Sequence, residues 1–295
     1  MPAPPARQTF GLPALDALLG GGLRPGTLTV LAGATGAGKT QLGVRWAEHG
    51  RVEEGRRGVI CDLTSRGDAQ DHATYALDRF GWRLEPYGLD GPFDPEAVWD
   101  FARSWGEYLH PFARAGRRVT RRDLDEDDWH AWKTDLARVL RASAGFFYGH
   151  FIRGARRVVI DGIEPAERAA ESIQFEFFEY LYQHVIRKDH DWAARELFRE
   201  HYRGHEAKVG AHAYEAKALG CVYLYTTPHV LIDDMMSGPI GEGDVFANAN
   251  TVIYLGRTRH DGRMGRALHV AKHRGSACSD DIVPYRITDQ GLVFD

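Results

Sequence analysis

Cysteine is scarce in this chain. Cys61, Cys221 and Cys278 stand far apart and form no C-x-x-C pair. Such usage offers no disulfide framework and suits a reducing compartment. No apolar run approaches the ~18 residues that a membrane helix needs. The opening Met1-Pro2-Ala3-Pro4-Pro5 has no apolar centre, so a secretory signal is not expected there. Basic excess is missing too: 37 Lys and Arg against 41 Asp and Glu give a formal net charge of −4. Without a polycationic footprint, nothing global points to DNA or RNA. Internal repeats and long low-complexity linkers are likewise absent. The expectation is a soluble, cytoplasmic protein of 295 residues, enough for one α/β domain with insertions.

What is present is concentrated near the start. Gly33-Ala34-Thr35-Gly36-Ala37-Gly38-Lys39-Thr40 satisfies the P-loop pattern G-x-x-x-x-G-K-[ST] in full. Thr27–Ala32 before it reads as a short buried strand, and the stretch from Gln41 to about His49 reads as a helix. Strand, glycine loop and helix together make the motif chemical. The glycines let backbone N–H groups curl around phosphate oxygens, and the helix N-terminus adds its positive dipole end. Lys39 is expected to reach the β- and γ-phosphates, and the Thr40 hydroxyl to ligate Mg²⁺. The nucleotide-binding set is Gly33, Ala34, Thr35, Gly36, Ala37, Gly38, Lys39, Thr40 and Gln41, with ATP and Mg²⁺ as cofactors.

Four more apolar runs read as buried parallel strands: Val59–Leu63, Val158–Ile160, Val222–Tyr225 and Val252–Leu255. Helical stretches separate them, as in a doubly wound sheet. Arg266–Ala271 and Val283–Thr288, with Gly262 and Gly291 at turns, predict antiparallel strands added at the C-terminal end. The fold class is therefore α/β, a mostly parallel sheet with helical insertions at about 83–157 and 164–219 in one domain over 1–295. In the first insertion, Val98, Phe101, Trp105 and Leu109 predict a helix that Pro111 ends. Trp129, Trp132, Leu136, Val139 and Leu140 predict another, with Asp125–Asp128 at its N-terminus. In the second, Ile173–Tyr182 is aromatic around most of a helix and is expected to be covered on more than one side.

Val158-Val159-Ile160-Asp161 is an apolar strand ending in an acid, the Walker B pattern, and Asp161 is expected to orient Mg²⁺. Ahead of the P-loop, Thr9-Phe10-Gly11-Leu12-Pro13-Ala14-Leu15-Asp16-Ala17-Leu18-Leu19-Gly20-Gly21-Gly22-Leu23 resembles the opening of KaiC-type ATPases in the RecA-like superfamily. Leu268–Ser276 is similar to that family's L-x-V-x-K-x-R-G-[ST] strand, and Pro284–Leu292 to its P-[FY]-x-I-x-x-x-G-[IL] ending. The resemblance covers roughly 1–82, 155–163 and 220–295. It implies a ring, usually a hexamer, or a related filament, with ATP at each subunit boundary. Lys272 and Arg274 would then reach the γ-phosphate held by a neighbour.

The same resemblance exposes a departure. The family pattern puts a water-polarising glutamate at Thr64, and also at Ser65 in KaiC-type members. Neither hydroxyl is a base at neutral pH. Asp62 and Glu164 are the weaker substitutes, so tight ATP binding with slow or lost hydrolysis is expected. Val245–Asn250, where KaiC has its phosphorylated Ser-Thr pair, has no hydroxyl side chain. A RecA/RadA-like recombination or repair ATPase is the alternative. Its DNA-gripping loop would span about 228–250, which holds Asp233, Asp234, Glu242 and Asp244 and no Lys or Arg. A protein partner recruited by the helical insertions is the expected alternative to nucleic acid.

Three smaller clusters carry less. Arg114, Arg117, Arg118, Arg121 and Arg122 are followed by Asp123, Asp125, Glu126, Asp127 and Asp128, so pairing is expected. His201 and His205 have helical i,i+4 spacing with His212 nearby, a weak metal pattern. Cys61, inside a buried strand, is expected to be packing.

Overall fold

The computed structural model describes residues 6–64, 72–113, 126–163, 173–238, 244–260, 262–289 and 291–294. Ser65, Glu164, the 114–122 arginine cluster, Asp123, Asp125 and Glu242 lie outside the described residues. One sheet of nine strands organises the chain, in the order β3-β2-β4-β5-β1-β6-β7-β8-β9. The strands are β1 Leu28–Gly33, β2 Val59–Asp62, β3 Tyr108–Leu109, β4 Arg157–Ile163, β5 Gly220–Thr226, β6 Thr251–His260, β7 Arg263–His273, β8 Ile282–Thr288 and β9 Gly291–Phe294. From β3 to β6 every neighbouring pair is parallel. From β6 to β9 every pair is antiparallel. This is the mixed α/β sheet of a RecA-like fold, with the expected meander at its C-terminal edge.

Alternate residues of each central strand face opposite cores. Leu28, Val30 and Ala32 of β1, Val59 and Cys61 of β2, and Val158 and Ile160 of β4 face one side. Leu31, Ile60 and Val159 face the other. Both faces are covered, which is why these strands read as continuous apolar runs. The second face is covered by α1 Pro13–Leu18, α2 Lys39–Glu53 and α3 His72–Phe80. The first is covered by α4 Glu126–Ile152, α5 Ile173–Leu181 with a π-turn Tyr182–Ile186, α6 His190–Phe198 and α7 Tyr202–Ala211. Two short helices, α8 Ile232–Ser237 and α9 Asp244–Asn248, lie between β5 and β6 in the chain.

The insertion helices are thus part of the core. Phe146, Phe147, Tyr148, Phe151 and Phe198 are fully buried against the sheet's first face. Burying an aromatic side chain of this size stabilises by roughly 1.5–3 kcal/mol. The aromatic segment at 173–182 packs here too, with Phe177, Phe178 and Leu181 buried.

One expected element is different. The helix predicted from Val98 to Leu109 is a short 3₁₀ turn, Glu96–Trp99, then irregular chain, then β3. Gly106 has φ +62°, which no right-handed helix accommodates, and Leu109 pairs with Cys61 on the sheet edge. Of the apolar residues that mimicked a helical stripe, Val98 and Trp105 are buried in the core that α4 shares, Leu109 lies in β3 and Phe101 stays exposed. Trp105 sits against Gly149, where an added Cβ would meet the indole nitrogen at 2.6 Å. Among the described residues of the first insertion, the α-helix is α4, which extends the predicted helix at 129–140 in both directions.

Candidate functional site

The phosphate loop leaves β1 at Gly33 and enters α2 at Lys39. Gly33 packs on β6, where a Cβ would meet the Leu255 carbonyl oxygen at 2.2 Å. Gly38, the residue before the helix, has φ +95°, a left-handed conformation that glycine adopts without strain. The C-terminal meander braces the loop: the Tyr285 hydroxyl donates to the Ala37 carbonyl at 2.5 Å, and Ile287 and Leu292 lie over Gly38. Thr35 and Gly36 face solvent at the tip, and Gln41 is half-buried in the first turn of α2.

Lys39 is 5% exposed, and its ammonium donates to the Gly33 and Ala34 carbonyls at 2.8 and 3.0 Å. Burial lowers its pKa to about 8, opposed by the negative charge of Asp161. The Thr40 hydroxyl donates to Asp161 Oδ2 at 2.8 Å, which joins the P-loop to the end of β4. Asp161 is fully buried, and among the described residues its Oδ1 has no hydrogen-bond partner. An orphaned buried carboxylate oxygen is costly. A hard cation and its waters, held by carboxylate and hydroxyl oxygens, would satisfy it. Thr40 and Asp161 therefore fit Mg²⁺.

Asp62 and Asp161 are register partners on β2 and β4, two acids side by side at the sheet edge. His72, at the start of α3, stands between them: its Nε2 donates to Asp161 Oδ2 at 2.8 Å, and its Nδ1 lies 3.6 Å from Asp62 Oδ2. The Tyr108 hydroxyl donates to Asp62 Oδ2 at 2.5 Å, and the Thr64 N–H donates to Asp62 Oδ1 at 2.9 Å. Both Asp62 oxygens are therefore engaged. His110 Nε2 donates to the Thr64 carbonyl at 2.9 Å. Thr64 itself, 8% exposed, abuts Gly162, where φ is +94° and a Cβ would stand 2.3 Å from the Thr64 methyl.

Two predicted residues stand apart from this cluster. Lys272 donates to the Phe246 and Ala247 carbonyls, in α9, at 2.9 and 3.4 Å. Burial lowers its pKa, as does neighbouring Arg274. Arg274 is exposed, and its backbone N–H bonds the Asn250 carbonyl. His201 and His205 do not converge either: His201 is exposed, whereas His205 Nδ1 accepts from the Trp99 indole at 3.0 Å. Among the described residues no group of three or more His, Cys, Asp or Glu could hold a metal.

His72, Tyr108, His110, Gly162 and Tyr285 were not legible as site residues. His72 and Tyr108 carry no motif: the β2–β3 pairing brings Tyr108 to Asp62, and the start of α3 brings His72 to both acids. Gly162 had a usable signal, since a glycine directly after a strand-terminal acid suggests a backbone bend. The N-terminal motif, by contrast, has a structural basis. The Asp16 carboxylate accepts the N–H groups of Phe10 and Leu12 at 2.7 and 2.9 Å. Arg45 of α2 donates to the Phe10 and Gly11 carbonyls, so the motif docks onto the helix that follows the P-loop.

A complete P-loop on the central strand of a parallel sheet, joined to a strand-terminal acid, defines a RecA-like P-loop protein. The family described as "ATPase: KaiC" matches residues 9–99. A "UPF0273 protein" of Thermotoga maritima is 26% identical over 298 residues, covering 98% of this chain and 95% of that protein. Another, from Methanopyrus kandleri, is 25% identical over 292 residues, covering 98% and 92%. Motifs, fold and matches agree in their likeness to KaiC-like, RecA-like P-loop ATPases. The two relatives align through both insertions, whereas the family match ends at residue 99.

Proposed function

We propose that this chain is an ATP–Mg²⁺-binding, self-assembling regulatory protein that turns ATP over slowly or not at all. The observation that carries the reading is the end of β2. Thr64 stands where related enzymes are expected to place a carboxylate, and the nearby Asp62 spends both oxygens on Tyr108 and the Thr64 amide. An acid so engaged is poorly placed to accept a proton from an attacking water.

The binding half of the reading is supported by Lys39. Its ammonium is buried on two carbonyls that a γ-phosphate would outcompete, because charge-assisted bonds to phosphate are the stronger ones. Bound Mg²⁺ would neutralise charge on the phosphates. Thr40 and Asp161 would hold it, and the glycine loop would position the nucleotide.

Assembly through the nucleotide is supported by the exposed Arg274 side chain. Lys272 would have to leave the α9 carbonyls to act on a neighbouring subunit. The insertions offer a partner surface with exposed Phe101 and Trp192. No helix among the described residues is long and apolar enough to cross a membrane, in keeping with a cytoplasmic role.

The test is particle mass by light scattering with and without ATP–Mg²⁺. ATP shared between subunits stabilises the assembly by mass action, so the mass should rise towards a hexamer or filament. Lys272→Ala/Arg274→Ala should weaken the rise. A monomer at micromolar protein under every nucleotide condition would contradict the reading.

A further inference from the structure

The nucleotide site is wired to the first insertion. β3 and His110 lie beyond residue 99, where the family match ends, yet they grip the last residues of β2. Tyr108 holds Asp62, and His110 holds the Thr64 carbonyl. From Asp62 the contacts continue through His72 to Asp161 and on to Thr40. All of Asp62, His72 and Asp161 are 2% exposed or less.

A polar chain this deeply buried is a costly way merely to fill space, because apolar side chains would pack as well. Two adjacent carboxylates also repel as like charges. A ring N–H aimed at Asp161 and a phenol O–H aimed at Asp62 offset that repulsion and fix both carboxylate planes. A group that bonds a metal ligand directly, as His72 bonds Asp161, orients that ligand and tunes its affinity, and Tyr108 acts on it through Asp62 and His72.

We propose that His72 and Tyr108 are positioning residues for the Mg²⁺ ligand Asp161, and that they couple Mg²⁺-nucleotide binding to the first insertion. The inference rests on the ATP–Mg²⁺ reading above. Thr40 and His72 both donate to Asp161 Oδ2. A cation drawing on that oxygen alters the hold on His72. The change passes to α3 through His72 and to β3 through Asp62 and Tyr108. The irregular chain behind β3 is tied to the same strand, since the Tyr87 N–H donates to the Tyr108 carbonyl and the Tyr108 N–H to the Glu85 carbonyl. What moves at the metal site is thereby felt at 85–110, in the stretch expected to meet a partner.

The experiment compares ATP affinity by calorimetry in excess Mg²⁺ and in EDTA, for wild type, Tyr108→Phe and His72→Gln. It adds hydrogen exchange of 85–112 with and without ATP–Mg²⁺. Tyr108→Phe removes one oxygen and keeps the ring, and the His72→Gln amide still donates to Asp161. The Mg²⁺-dependent gain in affinity should fall in Tyr108→Phe by up to about 10-fold, the low end for groups that bond a metal ligand directly, and less in His72→Gln, whose amide still donates. Affinity in EDTA should be unchanged, which a merely structural role would not explain. Wild-type exchange at 85–112 should slow with ATP–Mg²⁺ and fail to slow in Tyr108→Phe. A folded Tyr108→Phe with the wild-type Mg²⁺ gain, or wild-type exchange indifferent to ATP–Mg²⁺, would overturn the coupling. Wild type showing no Mg²⁺ gain at all would instead overturn the nucleotide-site reading beneath it.

Discussion

The two faces of the sheet are built on different principles. On the face of α1, α2 and α3, conformation is dictated by backbone-directed contacts: Asp16 on two amides, Arg45 on two carbonyls, Lys39 on two more. On the face of α4 to α7, the rings of Phe146, Phe147, Phe151, Phe177, Phe178 and Phe198 supply the apolar bulk, with hydrogen bonds such as Tyr148–His190 and His150–Gly106 set among them. The first arrangement demands particular residues at particular positions. At its phenylalanines the second demands mainly apolar volume, which many sequences satisfy. Motif-bearing and motif-free halves of one core follow from that difference.

The sharpest way to separate the faces is to remove one function and keep the fold. Lys39→Ala deletes the buried counter-cation for the phosphates and should abolish most ATP affinity in calorimetry, with folding retained. Phe147→Ala, on the opposite face, should do the reverse. Truncating a fully buried phenylalanine costs about 3–5 kcal/mol by chemical denaturation, while ATP affinity of the folded fraction stays near wild type. Comparable losses of binding in both variants would break the distinction.

Legibility followed the same line. The P-loop, Asp161, the parallel strands and the terminal meander were readable because phosphate binding and strand alternation fix residue types at fixed spacings. The stretch from Val98 to Leu109 was misread because Val98, Phe101, Trp105 and Leu109 have helical spacing. Val98, Trp105 and Leu109 are buried by α4 and β2 instead, while Phe101 stays exposed, an outcome that no local pattern encodes. The placement of Tyr108 and His72 was hidden for the same reason, since each meets Asp62 only across strands or from a helix start. The insertions read as helical elaborations of one domain, but which of their residues would pack on the sheet, Phe147 and Phe198 among them, was not encoded in any motif.

A gentler probe is acid. Burial lowers the pKa of His49, His150, His190, His205 and His273. His150, hydrogen-bonded to the Gly106 carbonyl, is lowered furthest, to about 3. Such a histidine stays neutral in the folded state and takes up a proton on unfolding. Its stabilising contribution is therefore intact above the unfolded value near 6.5 and is lost as pH falls from there towards 3. One proton corresponds to about 1.4 kcal/mol per pH unit at most. Denaturation across pH 7 to 4 should show the decline, and hydrogen exchange should show α4 opening before α2. His150→Gln should flatten the slope.

The most direct test of the central claim is phosphate release under conditions where calorimetry shows ATP–Mg²⁺ bound. The account predicts saturable binding with turnover far below that of a glutamate-bearing relative, and a rise in rate on Thr64→Glu, which restores a carboxylate at the end of β2. Brisk wild-type turnover that Asp62→Asn abolishes would contradict it, because Asp62 would then be a working base despite its bonds to Tyr108 and Thr64.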